Sequence, residues 1–376
     1  MLFFINIFIF TSLVFCSNVF SSSMFQISKT DDKSTEILFE APHVNISKDN
    51  DGYIKFEDVD LVGFDDLVDE FGLPIYSSTF QMNPGYNYEI DFEVLSSHII
   101  ENVKLKNSKD NGVYPIENII LSEPQIMRGL VLGQISFTPY KYFSNENKLE
   151  VYDAVQINIT EANQIDYDFF IPEKRSYIFE ELYKDFVINY SRSERSEDYQ
   201  NPSILYLCGG TSINNAYFKE LVDWRHKQGY IVNVVSTNES GSSESDILNY
   251  ISNAYQNWDN PPEIVGLVGD VGGSYNIDCD SYEWGGYYGA SDVRYTYLEG
   301  NDLLPEIVIG RISANGTSDL YNLVNKTLEY EKAQLQTDLG WYDRAGLVGD
   351  PTTSGLSCAI TNQYIDQVME THGFDD

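Results

Sequence analysis

The hydrophobic rhythm of this chain changes near its midpoint, and this change constrains the fold more than any other feature. Between about residues 24 and 164, apolar and polar residues alternate with a period of two in short runs that turn residues interrupt, such as YNYEIDFEVL and KLEVYDAVQINI. This alternation is typical of antiparallel strands with one buried face. Residues 24–164 are therefore predicted to form a β-rich domain of the sandwich type.

From residue 203 to residue 376 the pattern becomes an alternation of strands and helices. The apolar runs SILYLC, EIVGLVGD, PEIVIGRIS and RAGLVGD are each followed by a stretch with helical periodicity or by a loop that leads to one. Strands that are apolar on both faces are typical of a parallel sheet covered by helices on both sides. The predicted fold class is therefore α/β, with a β-sandwich followed by a parallel α/β/α sheet domain.

A polar linker separates the two parts. Residues 165–202 contain a possible helix, SYIFEELYKDFVINY, and then the polar run SRSERSEDYQNP. Exposed linkers are preferred sites of proteolytic cleavage, and Arg192 and Arg195 stand out in so acidic a chain. We predict a maturation cleavage site at these arginines, and a charged linker without processing is the alternative.

The N-terminal segment indicates the cellular compartment of the protein. Residues 1–22 are predicted to be a secretory signal peptide, because the apolar run Met1–Phe15 gives way to small residues. This run is shorter than the roughly 20 residues of a membrane-spanning helix, and no later stretch is long and apolar enough to span a bilayer. A membrane anchor and an incorrectly assigned start are the alternatives. The predicted location is secreted, or extracellular.

The net charge and the glycine-rich loops exclude several partners. The chain has 58 acidic residues against 23 Lys and Arg, which gives a formal net charge of −35. Such a chain is repelled by nucleic acids and by anionic membranes. The run GLVGDVGG at residues 266–273 lacks the spacing of a dinucleotide-binding loop, and the chain has no phosphate-binding GK[ST] loop. No nucleotide cofactor is therefore expected.

An acidic segment offers candidate metal ligands. Residues 270–302 contain seven acidic residues among many Gly and Tyr. Carboxylate oxygens on a flexible backbone suit calcium, so Asp270, Asp292 and Asp302 are predicted calcium ligands. The alternative is a solvated acidic loop. A metal-dependent hydrolase that uses the carboxylates around Asp270 is a further hypothesis.

No catalytic Cys/His pair can be identified from the positions of the cysteines and histidines in the sequence. Cys208, Cys279 and Cys358 follow the predicted signal, and no two of them have the spacing of metal ligands. Cys358 and His372 lie 14 residues apart on one predicted helix, which separates them by about 21 Å. A nucleophile and its base must come within about 3 Å of each other.

In a parallel sheet the functional crevice is expected at the carboxyl ends of the strands.

An ordered set of short motifs resembles the gingipain-type cysteine peptidases. The set runs from the VGD ending at Asp270, through Ser291-Asp292, Gly300-Asn301-Asp302 and Pro305-Glu306 with Gly310-Arg311, to the helix that carries Tyr330-Glu331. The β part is similar to the propeptide of that family, with Gly72-x-Pro74, Arg128-Gly129 and Pro139 in the corresponding order. The resemblance covers nearly all of residues 62–376.

The resemblance implies a secreted cysteine endopeptidase made as a zymogen. Its substrates would be proteins or peptides, its β-rich propeptide would act as an intramolecular inhibitor, and its peptidase domain would be caspase-like and often calcium-bound. Arg192 and Arg195 would then mark propeptide release. Asp350 resembles an acid that supports the catalytic histidine, with a simple turn acid as the alternative.

The same resemblance implies that the reacting pair is missing from this sequence. No cysteine of the chain matches the family's nucleophile, and His372 does not match the catalytic histidine. The Cys/His dyad is therefore expected beyond Asp376, and the chain as given is expected to be inactive. The alternative is a non-catalytic secreted adhesion or binding protein that retains the peptidase fold.

Overall fold

The computed structural model describes residues 24–374 apart from residues 32, 57–68, 110, 167–168, 194, 285–286, 334–338, 351 and 353–355. The predicted signal peptide, residues 1–22, lies outside the described residues. We call residues 24–164 the β half and residues 203–374 the α/β half. No helix of the described ranges has the length and apolar character that crossing a membrane requires.

The β half consists of two antiparallel sheets and a short hairpin. Its strands are β1 (Phe25–Thr30), β2 (Ser34–Glu40), β3 (Ile46–Lys48), β4 (Ile54–Phe56), β5 (Tyr76–Gln81), β6 (Tyr86–Glu101), β7 (Val113–Tyr114), β8 (Ile119–Leu121), β9 (Gln125–Met127), β10 (Leu130–Phe137), β11 (Tyr140–Phe143) and β12 (Lys148–Gln164). One sheet has the order β1-β2-β12-β11-β7, with β6 also paired to β12, and the other has the order β5-β10-β8, with β9 paired to β10.

The two sheets of the β half share one core, which confirms the predicted sandwich. Strand β2 alternates as the sequence indicates, with Ile37 and Phe39 fully buried. Phe39 meets Phe137 of the second sheet with their ring centroids 5.0 Å apart. Burying one such side chain contributes about 1.5–3 kcal/mol, so the inward-facing residues of the two sheets hold the layers together.

The α/β half begins after a helix in the linker. Its elements, with that helix first, are α1 (Tyr177–Phe186), β13 (Ser203–Cys208), α2 (Ala216–Lys227), β14 (Ile231–Ser236), α3 (Thr237–Ser240), α4 (Glu244–Asn257), β15 (Ile264–Val268), β16 (Asp280–Trp284), β17 (Tyr287–Ser291), β18 (Val308–Ile312), α5 (Thr317–Glu331) and α6 (Leu356–Thr371). Strands β14-β13-β15-β18 form a parallel sheet in that order, and β16 pairs with β17 in a separate hairpin.

Helices cover both faces of the parallel sheet, as predicted. All six residues of the central strand β13 are buried. Leu205 and Leu207 share a core with residues of α4, whereas Ile204 and Tyr206 share a core with residues of α2 and α5. Each face of β13 therefore packs against its own helical layer. This explains why the residues on both faces of the strand are apolar.

One predicted strand is absent. Residues 344–350, RAGLVGD, form no strand, and the described part of the parallel sheet ends at β18. Leu347 is 38% exposed and Val348 is 92% exposed, and helix α6 contributes no buried residue that could cover them. An apolar run gains stability as a strand only when neighbours cover it, so this part of the prediction is wrong.

Candidate active site

A loop lies directly over the carboxyl ends of strands β13 and β15. A Cβ added to Gly209 would lie 2.2 Å from the carbonyl oxygen of Tyr275, and one added to Gly269 would lie 2.0 Å from the same oxygen. Only glycine permits such a close backbone approach. The two glycines at the strand ends therefore allow the loop that contains Tyr275 to close over this edge of the sheet, where a crevice was expected.

Arg311, at the end of β18, fastens this loop. Its Nε and Nη2 donate to the two carboxylate oxygens of Asp292 at 2.8 and 2.7 Å. Its Nη1 donates to the carbonyl of Ile277 at 2.8 Å and to that of Gly269 at 3.2 Å, and its Nη2 donates to that of Asp278 at 3.0 Å. The guanidinium thus joins two backbone segments, at Gly269 and at Ile277-Asp278, and one carboxylate, and the Arg311 side chain is 10% exposed.

The three predicted calcium ligands do not come together. Asp270 follows β15 and accepts from the N–H of Val271, and Asp292 is bound to Arg311. Asp302 lies before β18, near the amino ends of the strands, and accepts from the N–H of Ile126 at 3.0 Å. Within the described ranges, no group of three or more His, Cys, Asp or Glu could hold a metal ion. Calcium binding stays a prediction, without a site formed by these three acids.

Two of the described cysteines, Cys208 and Cys279, lack the environment of a reactive thiolate. Burial raises the pKa of Cys208 to about 12, and burial together with the charge of Asp292 raises the pKa of Cys279. A nucleophilic cysteine needs the opposite shift. Cys358 and His372 lie at the two ends of helix α6, and His372 contacts the carbonyl of Val368 at 2.9 Å. Their predicted inability to pair is confirmed.

Asp350 lies in an exposed turn. Its carboxylate accepts from the N–H and the hydroxyl of Thr352 at 2.9 and 2.8 Å, and the first of these bonds is the main cause of its lowered pKa. The residue precedes α6 but follows no strand. This geometry fits the alternative of a turn acid, and the supporting role of Asp350 toward a catalytic histidine stays a prediction.

A buried polar cluster that the sequence did not predict lies at the opposite end of the sheet. Arg128 occupies the turn between β9 and β10, with a φ of 39°, and is followed by Gly129 with a φ of 81°. Its side chain enters the α/β half and is 6% exposed. Nη1 donates to the carbonyls of Glu306 and Pro262 at 2.7 and 2.9 Å, and Nη2 donates to Gln200 Oε1 at 3.0 Å and to the carbonyl of Pro261 at 3.3 Å.

Two buried glutamates lie beside this arginine. Glu263 directly precedes strand β15, and Glu306 lies two residues before strand β18. Both glutamates follow a proline in the repeated run Pro-Glu-Ile-Val. They are 1% and 0% exposed. Glu263 accepts from the Ser176 hydroxyl and from the N–H of Ser203, and burial raises its pKa. The repeated Pro-Glu is the sequence signal that could have identified this cluster.

Glu306 holds the loop of residues 298–302 through hydrogen bonds, and this loop contacts the β half. Its Oε2 accepts from the N–H groups of Leu298 and Glu299 at 2.7 and 3.1 Å, while its buried Oε1 has no hydrogen-bond partner among the described residues. Burial raises the pKa of Glu306 to about 8. In the same loop, Glu299 accepts from the N–H of Phe170 at 3.2 Å, and Asp302 accepts from that of Ile126. The loop therefore presents acceptors to the β half and the linker.

Helix α1 packs between the β half and the α/β half, and we call this contact region the seam. Its residues Phe179, Tyr183 and Phe186 form one apolar cluster with Met127 and Leu132 of the β half, and Leu304 and Val308 of the α/β half pack against that cluster. The Tyr183 hydroxyl donates to the carbonyl of Met127 at 2.6 Å. The amino-terminal end of the parallel sheet is thus covered by the β half and the linker helix.

Both parts of the chain match profiles of one peptidase family. A profile of peptidase family C25 matches residues 182–375, and a profile of the C25 propeptide matches residues 90–197. The first match covers more than half of the 376 residues. The chain therefore belongs to peptidase family C25, with a propeptide segment before the peptidase segment, which confirms the family that the motifs indicated.

Curated relatives come from Porphyromonas gingivalis. The chain is 25% identical to Gingipain R1 over 244 residues, which are 64% of this chain and 24% of that protein. It is 25% identical to Lys-gingipain over 264 residues, which are 66% of this chain and 15% of that protein. The chain thus spans a quarter or less of the length of these two relatives.

Two solved structures are also similar. One is a complex of Porphyromonas gingivalis RgpB pro- and mature domains, with a TM-score of 0.34, 17% identity, and coverage of 45% of this chain and 100% of that chain. The other is the Arg-specific cysteine proteinase gingipain R, with a TM-score of 0.35, 23% identity, and coverage of 49% of this chain and 41% of that chain.

Proposed function

We propose that the protein is the secreted zymogen of a cysteine endopeptidase that hydrolyses protein or peptide substrates. The observation that carries this proposal is the presence of a propeptide segment and a peptidase segment of one family in a single chain, joined by a buried seam. The reacting Cys and His belong, in this proposal, to sequence that follows Asp376. The thiolate attacks the peptide carbonyl, the histidine transfers the proton, and backbone N–H groups stabilise the oxyanion.

Loss of activity on thiol alkylation is the expected result for the full-length protein. Iodoacetamide should abolish peptide hydrolysis, because a thiolate forms the covalent intermediate, whereas a chelator should leave the chemical step intact. Thermal unfolding has to be measured with the chelator present, because loss of a structural calcium ion would lower activity through stability.

Other outcomes distinguish the alternatives. Activity that survives alkylation but fails on chelation at a temperature where the protein stays folded supports the metal-dependent hydrolase. Full-length protein that hydrolyses no peptide, and whose sequence after Asp376 lacks a Gly-His-Gly and a strand ending in Cys, supports the non-catalytic adhesion or binding protein.

The linker arginines differ in their accessibility to a protease. The Arg192 guanidinium lies 5.6 Å from the ring centre of Tyr177 and 3.4 Å from a carboxylate oxygen of Glu181. The Arg195 side chain is 69% exposed, and its closest acid, Glu197, is 64% exposed. Exposed surface ion pairs hold a side chain weakly. We therefore place the processing cut after Arg195.

Arg195→Ala is expected to slow maturation of the full-length protein at least tenfold, because the side chain that a processing protease would bind is removed. N-terminal sequencing of the mature wild-type protein should begin at Ser196. Arg192→Ala serves as the control and should mature at the wild-type rate. A mature N-terminus elsewhere, or equal maturation of both variants, contradicts this assignment.

A further inference from the structure

One side of the β half has strands that lack a neighbour. In the described part of the chain, strand β6 pairs only with β12, and strands β8 and β9 of the other sheet pair only with β10. Strand β6 runs beside β8, so both sheets end at the same side of the sandwich, which we call the open edge. A strand at such an edge leaves a row of N–H and C=O groups that a further strand can bind.

The open edge exposes apolar side chains that the core does not bury. In the first part of β6, Ile90 and Phe92 pack against the core and alternate with exposed acids. Every residue from Glu93 to Ile99 is then exposed. Leu95 in this stretch is 54% exposed, and Ile120 on β8 is 53% exposed. Exposed apolar residues that are grouped along one edge are typical of a surface that binds a partner.

The acids of β6 give the open edge a negative charge. Glu89, Asp91 and Glu93 are exposed at alternate positions, so they share one face of the strand. Asp91 accepts from the side-chain amide of Asn158 at 2.8 Å, whereas the carboxylates of Glu89 and Glu93 have no hydrogen-bond or ion-pair partner among the described residues. A second copy of the chain would bring the same acids and a net charge of −35, which the edge repels. The charge instead favours a basic partner.

A cavity lies at the acidic end of the open edge. It encloses 330 Å³, within the range of about 300–1,000 Å³ that ligand pockets occupy. Met82, which is 2% exposed, and Leu121 supply apolar lining. Glu89 and Glu123 also line the cavity, and the Glu123 carboxylate has no partner among the described residues either. A side chain with an apolar stem and a cationic head suits this lining, and lysine has both.

We propose that the open edge binds an extended, lysine-rich segment of another protein. The main chain of this segment pairs with β6, its lysines lie beside Glu89 and Glu93, and one lysine enters the cavity. Apolar side chains between the lysines cover Leu95. When a strand is added to a sheet edge in this way, main-chain hydrogen bonds provide affinity and side-chain pockets provide specificity. The proposal requires no peptidase activity, so it is independent of the proposed function.

The test measures, by fluorescence anisotropy, how tightly the whole chain binds a labelled decapeptide in which lysine alternates with valine. The protein is first treated with iodoacetamide, so that a cysteine peptidase cannot cleave the probe. Two matched peptides separate strand pairing from general attraction to an acidic protein. One has the same lysines and valines in two blocks, and the other is the alternating peptide N-methylated at two adjacent central residues. The alternating peptide should bind about tenfold more tightly than either, because only it can form every main-chain hydrogen bond in register with the acids.

Substitutions in the chain locate the binding. The combined variant Glu89→Gln, Glu93→Gln and Glu123→Gln should bind the alternating peptide about tenfold more weakly, because three ion pairs at the surface are lost. The control variant removes the same charge from exposed acids on β2, α2 and α5's successor α6, namely Glu40→Gln, Glu220→Gln and Glu370→Gln. The control should bind like the wild type, since these acids lie outside the open edge.

Three results would overturn the proposal. They are equal binding of the alternating and block peptides, equal binding of the N-methylated peptide, and equal binding by the two combined variants. Size-exclusion chromatography with light scattering tests the chain alone, and a monomer is the expected result. A dimer that Leu95→Ser dissociates would assign the open edge to a second copy and would also overturn the proposal.

Discussion

Replacing Arg311 with methionine is expected to lower the free energy of unfolding of the α/β half by about 3 kcal/mol, the lower end of the cost of breaking a buried ion pair by removing one partner, because the side chains of Arg311 and Asp292 are 10% and 21% exposed. The substitution leaves the Asp292 carboxylate without its cation and removes the donor that Arg311 offers to the carbonyls of Gly269, Ile277 and Asp278. The carbonyl of Asp278 keeps the Tyr295 hydroxyl as a donor. Methionine retains much of the length of the side chain, so the loss reports on the polar contacts more than on packing.

Urea unfolding curves recorded by tryptophan fluorescence measure the free energy of unfolding of the α/β half. All four tryptophans of the chain lie at or after residue 224, so their emission reports on the α/β half. Arg294→Met is the control, because Arg294 donates to the carbonyl of Tyr297 at the exposed surface and makes no ion pair among the described contacts.

A double-mutant cycle separates the ion pair from the carbonyl contacts. Arg311→Met combined with Asp292→Asn should cost less than the sum of the two single changes, because the second change removes the unpaired charge. If Arg311→Met unfolds at the same urea concentration as Arg294→Met, Arg311 does not hold the loop that covers the strand ends, and this account of the crevice fails.

The sequence predicted the layers of both halves well where burial follows a simple period. Ile37 and Phe39 alternate with more exposed neighbours, and this pattern alone places them on an inner sheet face. Strand β13 is apolar throughout, and it lies at the centre of the parallel sheet with both faces covered. In both cases the local pattern indicates which face of the strand is buried, so the prediction requires little information about residues that are distant in the sequence.

One repeated pentapeptide shows where local pattern fails. GLVGD occurs at residues 266–270 and again at residues 346–350. In the first copy Leu267 is fully buried in β15, between two neighbouring strands, whereas in the second copy Leu347 is 38% exposed and belongs to no strand. Identical local propensity gives different structures because neighbouring strands and helices supply most of the stability of a buried strand.

The partners within the polar clusters could not be predicted, because they are far apart in the sequence. Arg128 and Glu306 are separated by 178 residues, and Arg311 and Asp292 by 19. Motifs placed Asp292, Asp302 and Asp270 near one another along the chain, yet Asp270 and Asp302 lie at opposite ends of the parallel strands. Proximity in sequence is a poor guide here, because one strand length carries a residue from one edge of the sheet to the other.

Glu306→Gln is expected to make the α/β half more stable than the wild type at pH 8.5 by several kcal/mol and to leave it nearly unchanged at pH 5. Burial raises the pKa of Glu306 to about 8 from an ordinary value near 4.5. The folded protein therefore holds a proton on this carboxyl that the unfolded chain has lost throughout that interval. Stability from this group is complete below about pH 4.5 and falls as the pH rises to 8.

Glutamine resembles the protonated carboxyl and does not titrate, so it removes this slope. Its amide oxygen can still accept from the N–H groups of Leu298 and Glu299, as Oε2 of Glu306 does. Each unit of pKa difference corresponds to about 1.4 kcal/mol. The difference in unfolding free energy between variant and wild type therefore isolates Glu306 from the many other carboxyls of this acidic chain.

The measurement is a series of urea unfolding curves from pH 5 to pH 8.5, recorded by tryptophan fluorescence for the wild type, Glu306→Gln and the control Glu220→Gln. Glu220 is exposed on helix α2, so its substitution should give no pH-dependent difference from the wild type. A flat difference for Glu306→Gln would mean that the buried carboxyl is already ionised at neutral pH. In that case burial does not keep a proton on Glu306 in the folded protein, and the expected pH dependence is wrong.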